Sequence, residues 1–403
     1  MDFDVLFIGT DINAYYMARC YHELYHKKVD MIGKQAMSFT SLSSFINVMI
    51  VPDLGDTKVF IDVLEKYGEK HKSKKIILVA TNDAYVRLIV ENEELLKKYF
   101  LFNYPRLDII NNVLLKDNFY EAFKDSGLDM PKTYIYSCKE KSNIEEEFTY
   151  PLVLKASNGV EYYKHEFEGM SKVYKIKTEE ELYEVIKQIE ASGYEDTLII
   201  QEFIPGDDSA LFDSIFYCSK DSEVQLMTFA QIGLQERTHT GVGNCTVLVN
   251  GYDENGYKEE VIYNLKKFME KIGYQGFAEF DLKYDYRDGK YKVFEINPRQ
   301  ARSSYYLAAC GHNLIKYLVD DLIYNKKKEP VLMKDKMVLS FVPKGVIRKY
   351  VTNPKLKAEI NRLIKEGKFC RPLHYKGDKC FKRKVYLLLR DINYHKKYKN
   401  LEW

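Results

Sequence analysis

The sequence of 403 residues predicts a mixed protein, α/β in its first part and α+β beyond, with a basic carboxy-terminal segment. Three observations carry that expectation. Short apolar runs alternate with helical runs over residues 1–105, the pattern of a parallel sheet with helices on its faces. Two carboxylate-bearing runs, 277–284 (FAEFDLKY) and 294–299 (FEINPR), flank a turn-rich linker and read as a hairpin. Charge also changes sign along the chain. Residues 326–403 hold 23 Lys+Arg against 7 Asp+Glu, while the remainder holds 38 against 52. A chain of this length exceeds one simple core, so two or three packed units are expected.

In the first unit, 4–9 (DVLFIG) reads as a short strand ending in a tight turn, and a helical pattern follows over 14–25. Strand-like runs at 28–32, 48–51 and 75–80 alternate with helical stretches around 58–71 and 84–97. A second unit, 106–325, opens with a helix over 111–126, broken by Gly127 and Pro131. Strands at 133–136, 151–155 and 172–176, a helix at 179–192 and a very apolar strand at 197–203 follow. Pro205-Gly206 stops that strand and marks a hinge near 203–206. Strands at 210–218 and 224–233 lead through a loop to a helix at 257–272, the hairpin, and a helix at 304–324. Residues 326–403 form the last segment, ending in a basic helix over 382–399.

No run of eighteen apolar residues is present, so no membrane-spanning helix is expected. The acidic start Met1-Asp-Phe-Asp-Val5 argues against a signal peptide. Seven scattered cysteines without a Cys-x-x-Cys pair fit reduced thiols in a cytoplasmic protein. The basic end calls for an anionic partner, either a phosphorylated substrate or the inner membrane face, with nucleic acid disfavoured. A well-solvated closing segment explains the same lysines equally well.

The hairpin carries the chemistry. Alternation puts Asp281 on one strand face with Glu279 and Lys283, and Glu295 with Asn297. With Asp281 opposite Glu295, the loop runs over 286–290 and Gly289 supplies the positive φ such loops need. That register gathers two carboxylates and an amide oxygen, with Arg299 just beyond. Hard oxygen ligands of this kind suit Mg²⁺ together with substrate phosphates, and Mn²⁺ is the substitute ion. A solvated charged hairpin is the bland alternative.

Weaker signals surround it. His22-Glu-Leu-Tyr-His26 matches a zinc-protease spacing but has no third ligand, so an ordinary polar helix face explains it better. Gly9-Thr-Asp-Ile-Asn13 opens a helix after a strand, and Asp11 there is either a helix cap or a substrate contact. Lys155 ends a buried strand, where its charge needs an anion. The strand edge at Glu202, Phe203 and Ile204 suits adenine, and Asp208 just past it suits ribose hydroxyls. Arg302, Ser303 and Ser304 open a helix and fit a substrate carboxylate.

The order of these features resembles the ATP-grasp superfamily of carboxylate–amine ligases over residues 1–325. Within it the chain is most similar to bacterial D-aspartate ligases, through 11–19 (DINAYYMAR), 158–162 (NGVEY), 167–169 (FEG), 203–209 (FIPGDDS), 276–285 and 299–304 (RQARSS). The resemblance implies an ATP-grasp fold with a pre-ATP-grasp domain and a two-lobed ATP-binding domain. It implies that Lys116 and Lys155 contact ATP phosphates, that Glu202, Phe203 and Ile204 hold adenine, and that Asp208 holds the ribose. Asp281, Glu295 and Asn297 would bind two Mg²⁺ ions, Arg299 would face the transferred phosphate, and Lys283 is a further phosphate candidate. One departure stands out. The segment after Lys155 lacks the family's glycine-rich loop, so a lid must use Ser157, Asn158 or Lys172.

The implied reaction activates an amino-acid carboxylate as an acyl phosphate and joins it to an amine, as on a UDP- or lipid-linked peptidoglycan precursor. Other readings are a ligase of a different carboxylate and a non-catalytic ATP-binding regulator.

Overall fold

Apolar side chains fill nearly every position of the strands Phe3–Ile8 and Lys75–Ala80, which are buried on both faces, as a parallel sheet requires. The structure, a computed structural model, describes residues 2–141, 144, 147–237 and 243–399. Its chain forms two compact units. One comprises Met1–Leu107, Asp208–Phe280 and Asn297–Trp403, the other Asp108–Asp207 and Asp281–Ile296.

In the first unit a four-stranded parallel sheet runs in the order Ile46–Ile50, Val29–Gly33, Phe3–Ile8, Lys75–Ala80. Gly9 follows the inner strand Phe3–Ile8 at φ 120°, and a Cβ there would lie 2.0 Å from the Thr81 hydroxyl oxygen. Only glycine makes that turn. The helix Ile12–Tyr25 then starts because the Asp11 carboxylate accepts from the Ala14 N–H. Thr57–Lys70 is started in the same way by Asp56.

A nine-stranded mixed sheet follows, with Leu211–Cys218, Ala230–Gln235 and Cys245–Asn250 at its centre. The carboxy-terminal segment is built into it. Met337–Ser340 pairs antiparallel with Cys245–Asn250, and Phe369–Cys370 pairs parallel with Met337–Ser340. On the other side come Gly276–Asp285 and Lys290–Asn297, the expected hairpin, whose Gly289 takes φ 72°. Its strands enter the second unit at Asp281 and leave it after Ile296.

The second unit holds a four-stranded antiparallel sheet in the order Thr133–Ser137, Thr197–Glu202, Leu152–Ala156, Tyr174–Ile176. Thr178 caps the helix Glu179–Ala191, which buries Leu182, Val185, Ile186 and Ile189, an i, i+3, i+4, i+7 face. These pack with Leu152, Leu154 and Ile200. Truncating the fully buried Leu154 to Ala should cost about 3 kcal/mol.

Several elements differ from expectation. The helix over 304–324 is two, Tyr305–Ala309 and Leu314–Leu322. Gly311 adopts φ 90°, and Asn313 recaps the chain by accepting from the Ile315 N–H. The helix over 84–97 divides at Asn92, and that over 111–126 becomes Leu107–Leu114 and Lys116–Phe123. The strand over 224–233 divides around Thr228, whose hydroxyl accepts from the Ile215 N–H. Cys245–Asn250, expected as loop, is a strand. All seven cysteines are free thiols.

Candidate functional site

Two groups of charged side chains stand out, one in each unit. In the second unit, Lys155 sits at the end of Leu152–Ala156 and Lys116 begins Lys116–Phe123. The Lys116 ammonium is 3.9 Å from the Glu295 carboxylate, which is itself hydrogen-bonded to Asp281. Burial would raise the Glu295 pKa, but Lys116 and Lys155 outweigh it and hold the carboxylate below its usual range. Lys155 responds oppositely. Burial first, and then the neighbouring Lys116 and Lys172 charges, lower its pKa to about 8, with Glu295 and Asp281 opposing. Two contacting carboxylates and three lysines thus share one electrostatic neighbourhood.

That set fits Mg²⁺. Among the described residues no cluster of three or more His, Cys, Asp or Glu side chains is placed to hold a metal. Two carboxylates suffice for Mg²⁺, which takes its remaining ligands from water and phosphate oxygens. Asn297 follows Glu295 by two along the same strand and belongs to the first unit.

The adenine candidates lie beside this group in chain order. Glu202 accepts from the Lys132 N–H at 2.8 Å and pairs with Arg287 at 2.8 Å, a partner the sequence reading missed. Arg287 also grips Asp285. The Phe203 ring carries Lys175 at 4.1 Å and Lys283 at 5.5 Å from its centroid, and Ile204 is buried. Lys283 is therefore a cation on an aromatic face. Of the lid candidates, Ser157 donates to Asp117 at 2.7 Å and Asn158 caps the turn Gly159–Tyr162. Lys172 is close enough for its charge to act on Lys155 and Glu295.

In the first unit Arg299 is the hub. Its guanidinium reaches Asp83 at 3.0 Å, Glu279 at 2.9 Å and the Asn297 side-chain oxygen at 3.1 Å. Asp11, predicted as cap or substrate contact, caps its helix and also feels the Arg299 charge. Burial still dominates and raises its pKa. Ser303 does not open onto solvent: it is buried, and its hydroxyl donates to Asp213 at 2.5 Å. Burial, then the adjacent Glu279, push the Asp213 pKa well above the carboxylate range. Ser304 is buried next to the Tyr16 hydroxyl. Asp208, expected at a ribose, is held by Arg237 at 2.9 Å and by the Gln235 N–H at 3.0 Å.

Arg302 differs from its neighbours. It lies over the Phe341 ring at 4.7 Å and only 3.9 Å from Glu236, yet its Nε and Nη2 are buried without a hydrogen-bond partner. Buried guanidinium donors are rarely left unsatisfied, so this position has spare binding capacity for an anion. The His22/His26 pair makes no site: His26 leaves the helix as its left-handed cap and His22 stacks on Phe45 at 4.5 Å.

The sequence reading named Asp281, Glu295, Lys155 and Arg302 as candidates and did not name the neighbours Asp83, Asp213, Glu236 and Arg287, which the structure places against the candidate side chains. Among the Arg299 partners, Glu279 and Asn297 had a local signal, the strand faces they share with Asp281 and Glu295, and Asp83 had none.

Residues 115–303 match the ATP-grasp domain family. The chain is 34% identical over 412 aligned positions to D-aspartate ligase of Enterococcus faecium (strain Aus0004), covering 99% of this chain and 96% of that protein. Among solved structures it resembles the L-amino acid ligase from Bacillus licheniformis, with TM-score 0.56 at 16% identity over 80% of this chain and 74% of that one. It also resembles N5-carboxyaminoimidazole synthetase from Staphylococcus aureus, with TM-score 0.59 at 13% identity over 90% and 88%. These two likenesses concern the fold.

Proposed function

Because the chain belongs to the ATP-grasp family of carboxylate–amine ligases, alongside D-aspartate ligase, we propose that it activates D-aspartate and joins it to an amine of a peptidoglycan precursor. The near-full-length identity to a D-aspartate ligase carries the choice of amino acid. The unspent guanidinium of Arg302 agrees with a substrate bearing a second carboxylate.

In this reading Lys116, Lys155 and Lys172 take the ATP phosphates, and the apolar surface at Phe203 and Ile204 takes the adenine. Glu202 is a hydrogen-bonding neighbour of the base, and Asp208 is the ribose candidate once it exchanges Arg237 for hydroxyls. Asp281 and Glu295, with the Asn297 amide oxygen, hold Mg²⁺, two ions by family resemblance. The bound metal supplies Lewis-acid neutralisation of phosphate charge.

A carboxylate resists attack by an amine because it is anionic and would have to expel oxide. A substrate carboxylate oxygen therefore bonds to the γ-phosphorus of ATP, and ADP leaves. The neutral amine then attacks the acyl carbon, a C–N bond forms, inorganic phosphate departs with one carboxylate oxygen, and the amine loses a proton. Lysine charges position and neutralise the phosphates, and Arg299 stabilises the transferred phosphoryl and the later oxyanion. No covalent enzyme intermediate is required.

The test is phosphate release from ATP and Mg²⁺ with a panel of D- and L-amino acids and an amine-bearing precursor peptide. Release and amide formation with D-aspartate above L-aspartate and D-glutamate supports the reading. Preference for any other carboxylate, or release with none, overturns it.

A further inference from the structure

The last helix, Phe381–Lys399, has two apolar faces. Its inner face is anchored. Leu387, Tyr394 and Tyr398 are buried, while Arg383 pairs with Asp378 at 3.0 Å and stacks on Tyr15 at 3.7 Å. Tyr394 and Tyr398 donate to Glu236 and to the Gln235 carbonyl. The opposite face is apolar and open. Phe381, Val385, Leu388, Leu389 and Ile392 are 76, 40, 61, 60 and 49% exposed. Their spacing, i, i+4, i+7, i+8, i+11, lines them up in one stripe.

Charge defines what can cover that stripe. Lys382 and Lys384 are exposed to either side of it, Lys396 and Lys399 are exposed where it ends beyond Ile392, and Lys376 and Lys379 are exposed just before the helix. The one acidic residue of the helix, Asp391, is gripped by Arg371 at 2.7 Å. A contiguous exposed apolar stripe signals an interaction surface. Bordered by cations, it matches the interface of an anionic bilayer, where leucine and phenylalanine enter the headgroup boundary and lysines reach the phosphates. The same face of a second copy would bring lysines against lysines, which is repulsive.

We propose that Phe381–Lys399 docks the protein, lying flat, on the surface of an anionic lipid bilayer. No helix among the described residues is long and apolar enough to cross a membrane, so the contact is one of surface insertion. The proposal stands on this helix alone and does not depend on the substrate assigned above.

The test is co-sedimentation of the full chain with vesicles of phosphatidylcholine, with and without about one-third phosphatidylglycerol. The unaltered protein should partition at least about tenfold more strongly to the phosphatidylglycerol vesicles. Leu388→Ser with Leu389→Ser should reduce that binding about tenfold or more. Lys382→Gln, Lys384→Gln and Lys396→Gln together should remove the lipid-charge preference. Both variants should keep the unaltered protein's cooperative thermal unfolding, with Tm within about 3 °C, which reports that they fold. Absence of vesicle binding, or binding indifferent to the leucine changes, overturns the proposal. So does a concentration-dependent dimer, lost in the leucine variant, without vesicle binding.

Discussion

The Lys116 ammonium stands 3.9 Å from the Glu295 carboxylate, and Glu295 is in turn hydrogen-bonded to Asp281. Glu295 is held ionised against burial by lysines, so it meets a cation already charged, and the proton in its hydrogen bond with Asp281 is the one a cation displaces. Glu295→Gln keeps the shape and removes the charge. It should lower Mg²⁺-dependent amide formation by about 100-fold or more, as loss of a charge-stabilising group does elsewhere. Nucleotide binding measured without Mg²⁺ should hold or tighten, since a negative charge near the phosphates is gone.

Lys155 predicts a pH dependence. Its pKa is lowered to about 8, chiefly by burial, and bound phosphates would raise it again. ATP binding above pH 8 must then take up a proton, and affinity should fall by up to about tenfold per pH unit as pH rises beyond 8. Calorimetry at pH 8.5 in buffers of different ionisation heat would reveal the uptake. Lys155→Met should bind weakly and lose the slope. The same shift acts on folding: between pH 8 and the ordinary lysine range the unfolded chain binds the extra proton, so this group's contribution to stability rises with pH there.

Arg302 should separate the two substrates. Its Nε and Nη2 are buried without a hydrogen-bond partner, so removal should cost a bound anion more than it costs the internal contacts with Phe341 and Glu236. Arg302→Ala should raise KM for the amino acid by about 10- to 100-fold and leave KM for ATP within about threefold. Arg302→Lys should rescue poorly, because a single ammonium cannot reproduce a planar fork. Steady-state kinetics with each substrate varied in turn would decide it. Equal effects on both would remove Arg302 from the carboxylate site.

Asp213 makes a stability prediction of opposite sign to an ion-paired acid. Burial and then Glu279 raise its pKa, so the folded protein keeps a proton that the unfolded chain releases. Stability then falls as pH rises above the usual carboxylate range. Asp213→Asn, which keeps an acceptor for Ser303, should raise Tm by about 2 °C or more at pH 8, with the gain shrinking toward pH 4. Thermal melts at the two pH values test it.

Much of this was legible because it is local. The hairpin could be read from alternation around a turn glycine, and Lys155 from a charge at the end of an apolar run. What was hidden depends on distant pairing. Nothing near Arg299 announces Asp83, and nothing near Ser303 announces Asp213, since elements from remote segments bring them together. The last helix was legible as basic, but its pattern contains two apolar faces. Only the packing of Leu387, Tyr394 and Tyr398 tells which one is left outside. The helix break at Asn313 went unseen because its cap is a single side-chain bond within an otherwise helical pattern.

The second unit is drawn from two separate stretches of chain, Asp108–Asp207 and Asp281–Ile296. Lys116 and Lys155 come from the first stretch and Asp281 and Glu295 from the second. A single recombination break in the gene between the codons for 208 and 280 would give lysines from one parent and carboxylates from the other. Chimaeras joined there draw the two halves of the charge set and of its supporting unit from different parents, so shuffling should be better tolerated with paired break points than with single ones.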